Sequence, residues 1–304
     1  LKTIVFAYHN LGVIGITKLL AHGYTIPLVF THEDNPHENV WFGSVKELCT
    51  RLSLDFVTPV DPNTAAGIER IRGIAPDIIF SFFYRSMISK DILSIPPYGA
   101  YNLHGSLLPK YRGRCPVNWV IIKGEKETGI TLHEMVEKPD AGAIVAQRRI
   151  VIEGADTALT LFHKIEAEAE KLLDECLPEM YTGIIRKVSQ DLSKGSYYGG
   201  RKPEDGRIAW HRSAREIYNL IRGVTRPYPG AFGHLEGQKI LFWWAVPQEG
   251  PDKVPGTISV ADDRAMIGTG DGVLLPLEIE VNGRVLKDKD LLSFFKKHEG
   301  EGLQ

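Results

Sequence analysis

Over the first 150 residues, short apolar runs alternate with longer amphipathic ones, and this alternation limits the fold more than any other feature. The runs TIVFAY (3–8), IPLVFT (26–31), DFVTP (55–59) and DIIFSFF (77–83) read as buried strands. Residues 15–21, 44–52 and 65–74 between them carry helical spacing, some with Gly or Pro nearby as stop signals. Strand and helix in turn imply an α/β fold with a Rossmann-like, mostly parallel sheet covered on both faces. In such sheets ligands gather beyond the carboxyl ends of the strands.

Residues 128–136 and 143–152 read as two further strands, separated by the turn Lys138-Pro139-Asp140-Ala141-Gly142. A long helix follows, capped by Asp156 or Thr157, with Leu161, Ile165, Leu172, Leu173, Cys176 and Met180 on its apolar face. Its acidic residues Glu166, Glu168 and Glu170 read as the solvated face. The stretch 189–206 is polar and Gly-rich and reads as a linker or loop, dividing a larger domain (1–188) from a smaller one (207–304). Beyond it come a short helix (214–221), the turn at 226–230, and strand-like runs at 239–243, 256–260, 265–268 and 272–276. Many short strands with turns predict a β-rich, OB-like barrel or sandwich.

The composition is that of a soluble globular protein: 43% of the 304 residues are hydrophobic and 24% charged. No apolar run approaches the roughly 20 residues of a membrane span. The net charge of −2 offers no basic field for nucleic acid. Cys49, Cys115 and Cys176 have neither metal-site spacing nor the even number of a disulfide framework. With no signal-peptide pattern before the first strand, the expected location is cytoplasmic. Gly12 and Gly15 after the first strand do not make the dinucleotide fingerprint. No His-x-x-x-His spacing occurs, so no metal is expected.

The chemistry concentrates in AYNLHGSLLPKYRGRCPVNW, residues 100–119. Asn102 and His104 sit two apart where a fifth strand should end, which sends an amide and an imidazole to one face. A rigid turn follows, then Arg112-Gly113-Arg114, and Pro116 can open a helix. An imidazole, an amide and two guanidiniums can handle proton transfer, an oxyanion and an anionic substrate.

The pattern Asn-x-His-x-Ser-Leu-Leu-Pro followed by Arg-Gly resembles the signature of folate-dependent formyltransferases. The resemblance implies 10-formyltetrahydrofolate as formyl donor and a catalytic trio of Asn102, His104 and Asp140, the last in an Asp-x-Gly turn. In this reading Asn102 serves the oxyanion, His104 moves the proton to the leaving nitrogen, and Asp140 raises the pKa of His104. The resemblance also implies that Ser86, Met87 and Ile88 bind the pteridine through their backbone, opposite a wall of Val136, Glu137, Lys138, Pro139 and Asp140. Arg114, Arg112 and Arg201 suit an anionic group on either ligand. Arg114 is assigned to the folate, and Arg112 and Arg201 to the acceptor.

Two branches of the family differ in the acceptor. Gly105 and the stretch 110–119 (KYRGRCPVNW) resemble the branch acting on amino sugars of nucleotides, specifically UDP-4-amino-4-deoxy-L-arabinose of lipid A modification. FAYHNLG, FTHEDNP, SFFYRSMI, TGITLHEMVEKPDAGAIVAQ and RPYPGAF extend the likeness, which fades after about residue 240; Cys115 departs from it. In that branch a decarboxylase domain can follow within a longer protein. The expected partners are therefore small molecules, with no nucleic acid and no membrane, and a homo-oligomer is compatible with the reading. The competing readings are a methionyl-tRNA formyltransferase, a formyltetrahydrofolate hydrolase, and a non-catalytic folate-binding module. The complete trio argues against the last.

Overall fold

The computed structural model describes residues 1–36, 39–58, 61–250 and 253–304. The chain forms two compact units: Leu1–Pro116 with Glu127–Val151 and Phe162–Gly199, and Val117–Lys126 with Ile152–Leu161 and Gly200–Gln304.

The first part of the chain runs β1 (Lys2–Ala7), α1 (His9–Ala21), β2 (Thr25–Phe30), α2 (Val45–Arg51), β3 (Phe56–Val57), α3 (Ala65–Ile74), β4 (Ile78–Phe82), α4 (Lys90–Leu93) and β5 (Ala100–His104). It continues through β6 (Arg112–Gly113), α5 (Pro116–Ile122), β7 (Glu127–Glu134), β8 (Ile144–Val151), α6 (Ala158–Tyr181) and β9 (Tyr197–Tyr198). Seven strands form one sheet in the order β3-β2-β1-β4-β5-β7-β8. The first five are parallel, while β7 runs antiparallel to β5 and β8 antiparallel to β7. This is the mostly parallel, Rossmann-like sheet that the alternation predicts. Ile4, Phe6, Leu28, Phe30 and Ile79 fill its core, and the Phe6 and Phe30 rings stack 4.8 Å apart.

Strands that read as continuous apolar runs are buried on both faces, as a covered parallel sheet requires. Pro59, the last residue of the expected strand 55–59, lies outside the described residues. Helix α1 begins at His9, six residues before the predicted start, because the polar pair His9-Asn10 masks its first turn. Gly15 lies against the Phe82 ring, where a Cβ would fall 2.4 Å from the ring. This glycine serves close packing of helix on sheet.

One expectation needs correction. Glu166 and Glu168 are not a solvated face: their side chains are 16% and 20% exposed. Glu166 accepts a hydrogen bond from Asn10, and Glu168 pairs with Arg148 of β8. The Asn10 and Arg148 side chains that draw them in stand on other elements, out of reach of local periodicity. Glu170, half exposed, pairs with Lys18.

The remaining elements are α7 (Ala214–Val224), β10 (Ala231–Leu235), β11 (Gln238–Gln248), β12 (Ile258–Ala261), β13 (Arg264–Gly268), β14 (Val273–Val281), β15 (Arg284–Lys287) and α8 (Asp288–Lys297). Their six strands pair antiparallel in the order β10-β11-β14-β13-β12, with β15 beside β14. Trp210, Ile217, Ile221, Phe242, Ile279 and Phe295 form the core of this β-rich unit. Ser213 and Glu216 cap α7 reciprocally. No helix among the described residues is long and apolar enough to cross a membrane.

Candidate active site

Strand β5 carries Asn102 and His104 on one face, and register decides what meets them. Asn102 pairs with Ser81 of β4 on one side and with His133 of β7 on the other. The pairing of β7 with β8 shifts register between Leu132 and His133. Such an irregularity re-aims a side chain, and these features recur next to active sites. The His133 imidazole is buried, with Nε2 3.2 Å from Asn102 Nδ2 and 3.4 Å from Asp140 Oδ1. Its Nδ1 lies 2.8 Å from the Glu134 carbonyl oxygen, which can only accept. With the ring neutral, Nδ1 donates there and Nε2 accepts from one N–H of the Asn102 amide. The second N–H of Asn102 is then available to a ligand oxygen.

His104 is buried at the end of β5, with Nε2 2.8 Å from the Tyr111 carbonyl and Nδ1 3.7 Å from Asp140 Oδ2. The carbonyl makes Nε2 the donor, so a neutral ring keeps its lone pair at Nδ1, on the side of the carboxylate. Burial pulls the His104 pKa down, and Asp140 and the Tyr111 carbonyl restore only part of it. The expected upward shift is therefore corrected: the carboxylate does raise the ring, but desolvation outweighs it.

Asp140 adopts a left-handed backbone (φ 51°), which a short acidic residue tolerates. A Cβ on Gly142 would fall 2.0 Å from the Glu134 carbonyl oxygen, so only glycine lets the turn fold back onto the end of β7. Burial pushes the Asp140 carboxyl up, but the His104 and His133 rings in their protonated form, together with the Gly113 N–H, hold it well below the usual carboxylate range. The Gly113 N–H donates to Asp140 Oδ2 at 2.8 Å. The structure thus gathers Asn102, His104, Asp140 and His133, the last missed by sequence reasoning. Its only sequence signal is a histidine seven residues before the Asp-x-Gly turn, and the register that makes it useful is not local.

The loop after β4 carries Ser86 and Met87 exposed, whereas Ile88 is buried in the core and offers a ligand its backbone alone. The side chains of His32 and Asn63 help to hold this loop. His32 accepts from the Arg85 N–H at 3.0 Å. Asn63 donates to the Met87 carbonyl at 2.9 Å and accepts from the Ser89 N–H at 2.7 Å. Val136, Glu137 and Lys138 are exposed, and Pro139 is half-buried beside Asp140.

The segment 189–206, read as a linker, braces the site instead. Gln190 donates to the carbonyls of Asp140 and Gly142, and Ser196 Oγ accepts from the Tyr111 N–H. Strand β9 pairs in parallel with β6, against Arg112 and Gly113. Arg112 is buried and Arg114 exposed in the same unit. Arg201 belongs to the other unit, with its guanidinium 4.6 Å above the Trp119 ring.

Comparisons with known proteins place the chain by family and by fold. The sequence profile described as formyl transferase matches residues 13–177, more than half of the chain, and that of the formyl transferase C-terminal domain matches 201–296. The fold is similar to an N-formyltransferase from Helicobacter canadensis in complex with folinic acid and dTDP-3-aminofucose (TM-score 0.69, 19% identity, 90% of this chain and 98% of that one). HypX from Aquifex aeolicus in complex with tetrahydrofolic acid matches at TM-score 0.63 and 19% identity over 98% of this chain. The chain spans about half the length of HypX, 48%. A methionyl-tRNA formyltransferase from Clostridium thermocellum matches at TM-score 0.57 and 18% identity, over 92% of this chain and 98% of that one.

Proposed function

Because the chain belongs to the formyl transferase family and is a formyl-transferring enzyme, we propose that it moves the formyl group of 10-formyltetrahydrofolate to the amine of a nucleotide-linked amino sugar, UDP-4-amino-4-deoxy-L-arabinose. The observation that carries the reading is the packing of Asn102, His104 and Asp140 around one buried histidine, His133. The folate-bound neighbours and the dTDP-3-aminofucose complex support a folate donor and a sugar acceptor.

The acceptor amine attacks the formyl carbon, forming a C–N bond and a tetrahedral oxyanion. The free N–H of Asn102 donates to that oxygen, and one such donor is commonly worth about 3–4 kcal/mol. His104, neutral because it is buried, takes the proton released by the amine and passes it to the leaving folate nitrogen as the old C–N bond breaks. The Asp140 carboxylate lies beside Nδ1 and stabilises the transient imidazolium. The loop at 86–88 and the wall at 136–140 hold the pteridine in this reading, with Arg114 at the folate.

The test is formyl transfer from 10-formyltetrahydrofolate to UDP-4-amino-4-deoxy-L-arabinose and, in parallel, to methionyl-tRNA. Product with the sugar alone is expected. Product with tRNA alone would overturn the acceptor and keep the chemistry, and formate release without either acceptor would mark a hydrolase.

A further inference from the structure

Arg112 is 8% exposed, and its guanidinium makes no hydrogen bond or ion pair with any described residue. Its Nε is fully shielded and lacks a partner. The other buried arginine among the described residues is treated differently. Arg222, 4% exposed, donates to the Asn219 side chain and to the carbonyls of Glu153 and Asp156. A guanidinium withdrawn from water without compensation is costly, so buried cations are normally paired.

The backbone around Arg112 is held on three consecutive residues. The Arg112 N–H donates to Ser196 at 3.0 Å, the Gly113 N–H to Asp140 at 2.8 Å, and the Arg114 N–H to Tyr198 at 2.9 Å. A Cβ on Gly113 would meet the Tyr198 carbonyl at 2.2 Å, and its φ of 97° excludes other residues at low cost. The chain therefore fixes an unpaired cation one residue from a hydrogen bond to the catalytic carboxylate. A flexible surface arginine would not be held this way.

We propose that Arg112 is a recognition residue for an oxyanion of the substrates, its guanidinium fork completed by carboxylate or phosphate oxygens when ligand binds. This rests on the formyl-transfer reading of the site. Two sources share the chemistry: the phosphates of a nucleotide-linked acceptor and the glutamate carboxylates of a folate.

Calorimetric titration of the wild type, Arg112→Met and Arg112→Lys with UDP and with folinic acid separates them. Arg112→Met is expected to lose at least tenfold in affinity for one probe and to keep the other within twofold. Loss of UDP assigns the phosphate, and loss of folinic acid assigns the carboxylate. Unchanged affinity for both probes overturns the inference, and so does an equal loss of both, which marks a structural role. If Arg112→Met fails to fold, Arg112→Lys is read by the same criteria, since it keeps the charge without the planar fork. A wild type that binds neither probe removes the reading of the site, and this inference with it.

Discussion

The amide nitrogen of Asn102 lies 3.2 Å from Nε2 of His133, its partner across the β5–β7 pair, and the same Nε2 lies 3.4 Å from the Asp140 carboxylate. One buried imidazole thus touches both the proposed oxyanion donor and the group that tunes the proton carrier. His133→Ala frees the Asn102 amide to rotate. Loss of one such hydrogen bond is worth about 1 kcal/mol, so kcat should fall roughly five- to tenfold with little change in KM. His133→Asn, which keeps a hydrogen-bonding side chain, should recover part of it. A rise in KM without a fall in kcat would show that His133 acts on binding instead.

Replacing the trio should hit turnover hardest. His104→Ala and Asp140→Asn are each expected to lower kcat by about 10²–10⁴-fold, the usual worth of positioned proton transfer. Circular dichroism should show both variants folded. Near-wild-type turnover in either one would remove it from the mechanism.

The pH dependence follows from the direction of the His104 shift. A base acts while neutral, and burial holds His104 below the ordinary imidazole value of about 6.5. The kcat profile should therefore be flat above about pH 6.5, with its acid limb below that value. Asp140→Asn removes the carboxylate that favours the imidazolium, so the acid limb of its residual activity should move to still lower pH. A limb that moves upward in that variant contradicts the assignment.

Asn63 offers a test of the loop that carries Ser86 and Met87. Asn63→Ala removes its bonds to the Met87 carbonyl and the Ser89 N–H. At about 1 kcal/mol for each of the two bonds, the KM for 10-formyltetrahydrofolate should rise by up to roughly thirtyfold while kcat stays within twofold. An unchanged KM would take the pteridine away from this loop.

His9 links the fold to acid stability. Its ring packs against Phe42, Trp41 and Phe162, and burial, aided by the charge of Arg85, lowers its pKa to about 3. The unfolded value is about 6.5, so between these limits the unfolded chain binds the proton more readily. The stability contributed by neutral His9 is complete above about pH 6.5 and is lost as pH falls toward 3. Denaturant melts of the wild type should lose up to a few kcal/mol over that window. His9→Asn, compatible with the left-handed backbone at this position (φ 67°), should show a shallower loss. Parallel acid slopes in the two proteins would contradict this.

Periodicity and one long motif determined much of this protein. Apolar runs such as 77–83, where every residue of β4 is buried, can only be strands covered on both faces, so local pattern specified the parallel sheet. Residues 100–119 brought Asn102 and His104 onto one strand end, and the Asp140 turn was legible from its own residue types. What local pattern could not reach depends on contacts between distant residues. His133 matters only because antiparallel register sets it opposite Asn102. Gln190 and Ser196, polar residues of an apparent linker, hold the loops of the proposed site through bonds that no spacing rule encodes. Desolvation set the direction of the His104 shift, because burial depends on the whole fold while the nearby carboxylate could be read from the sequence.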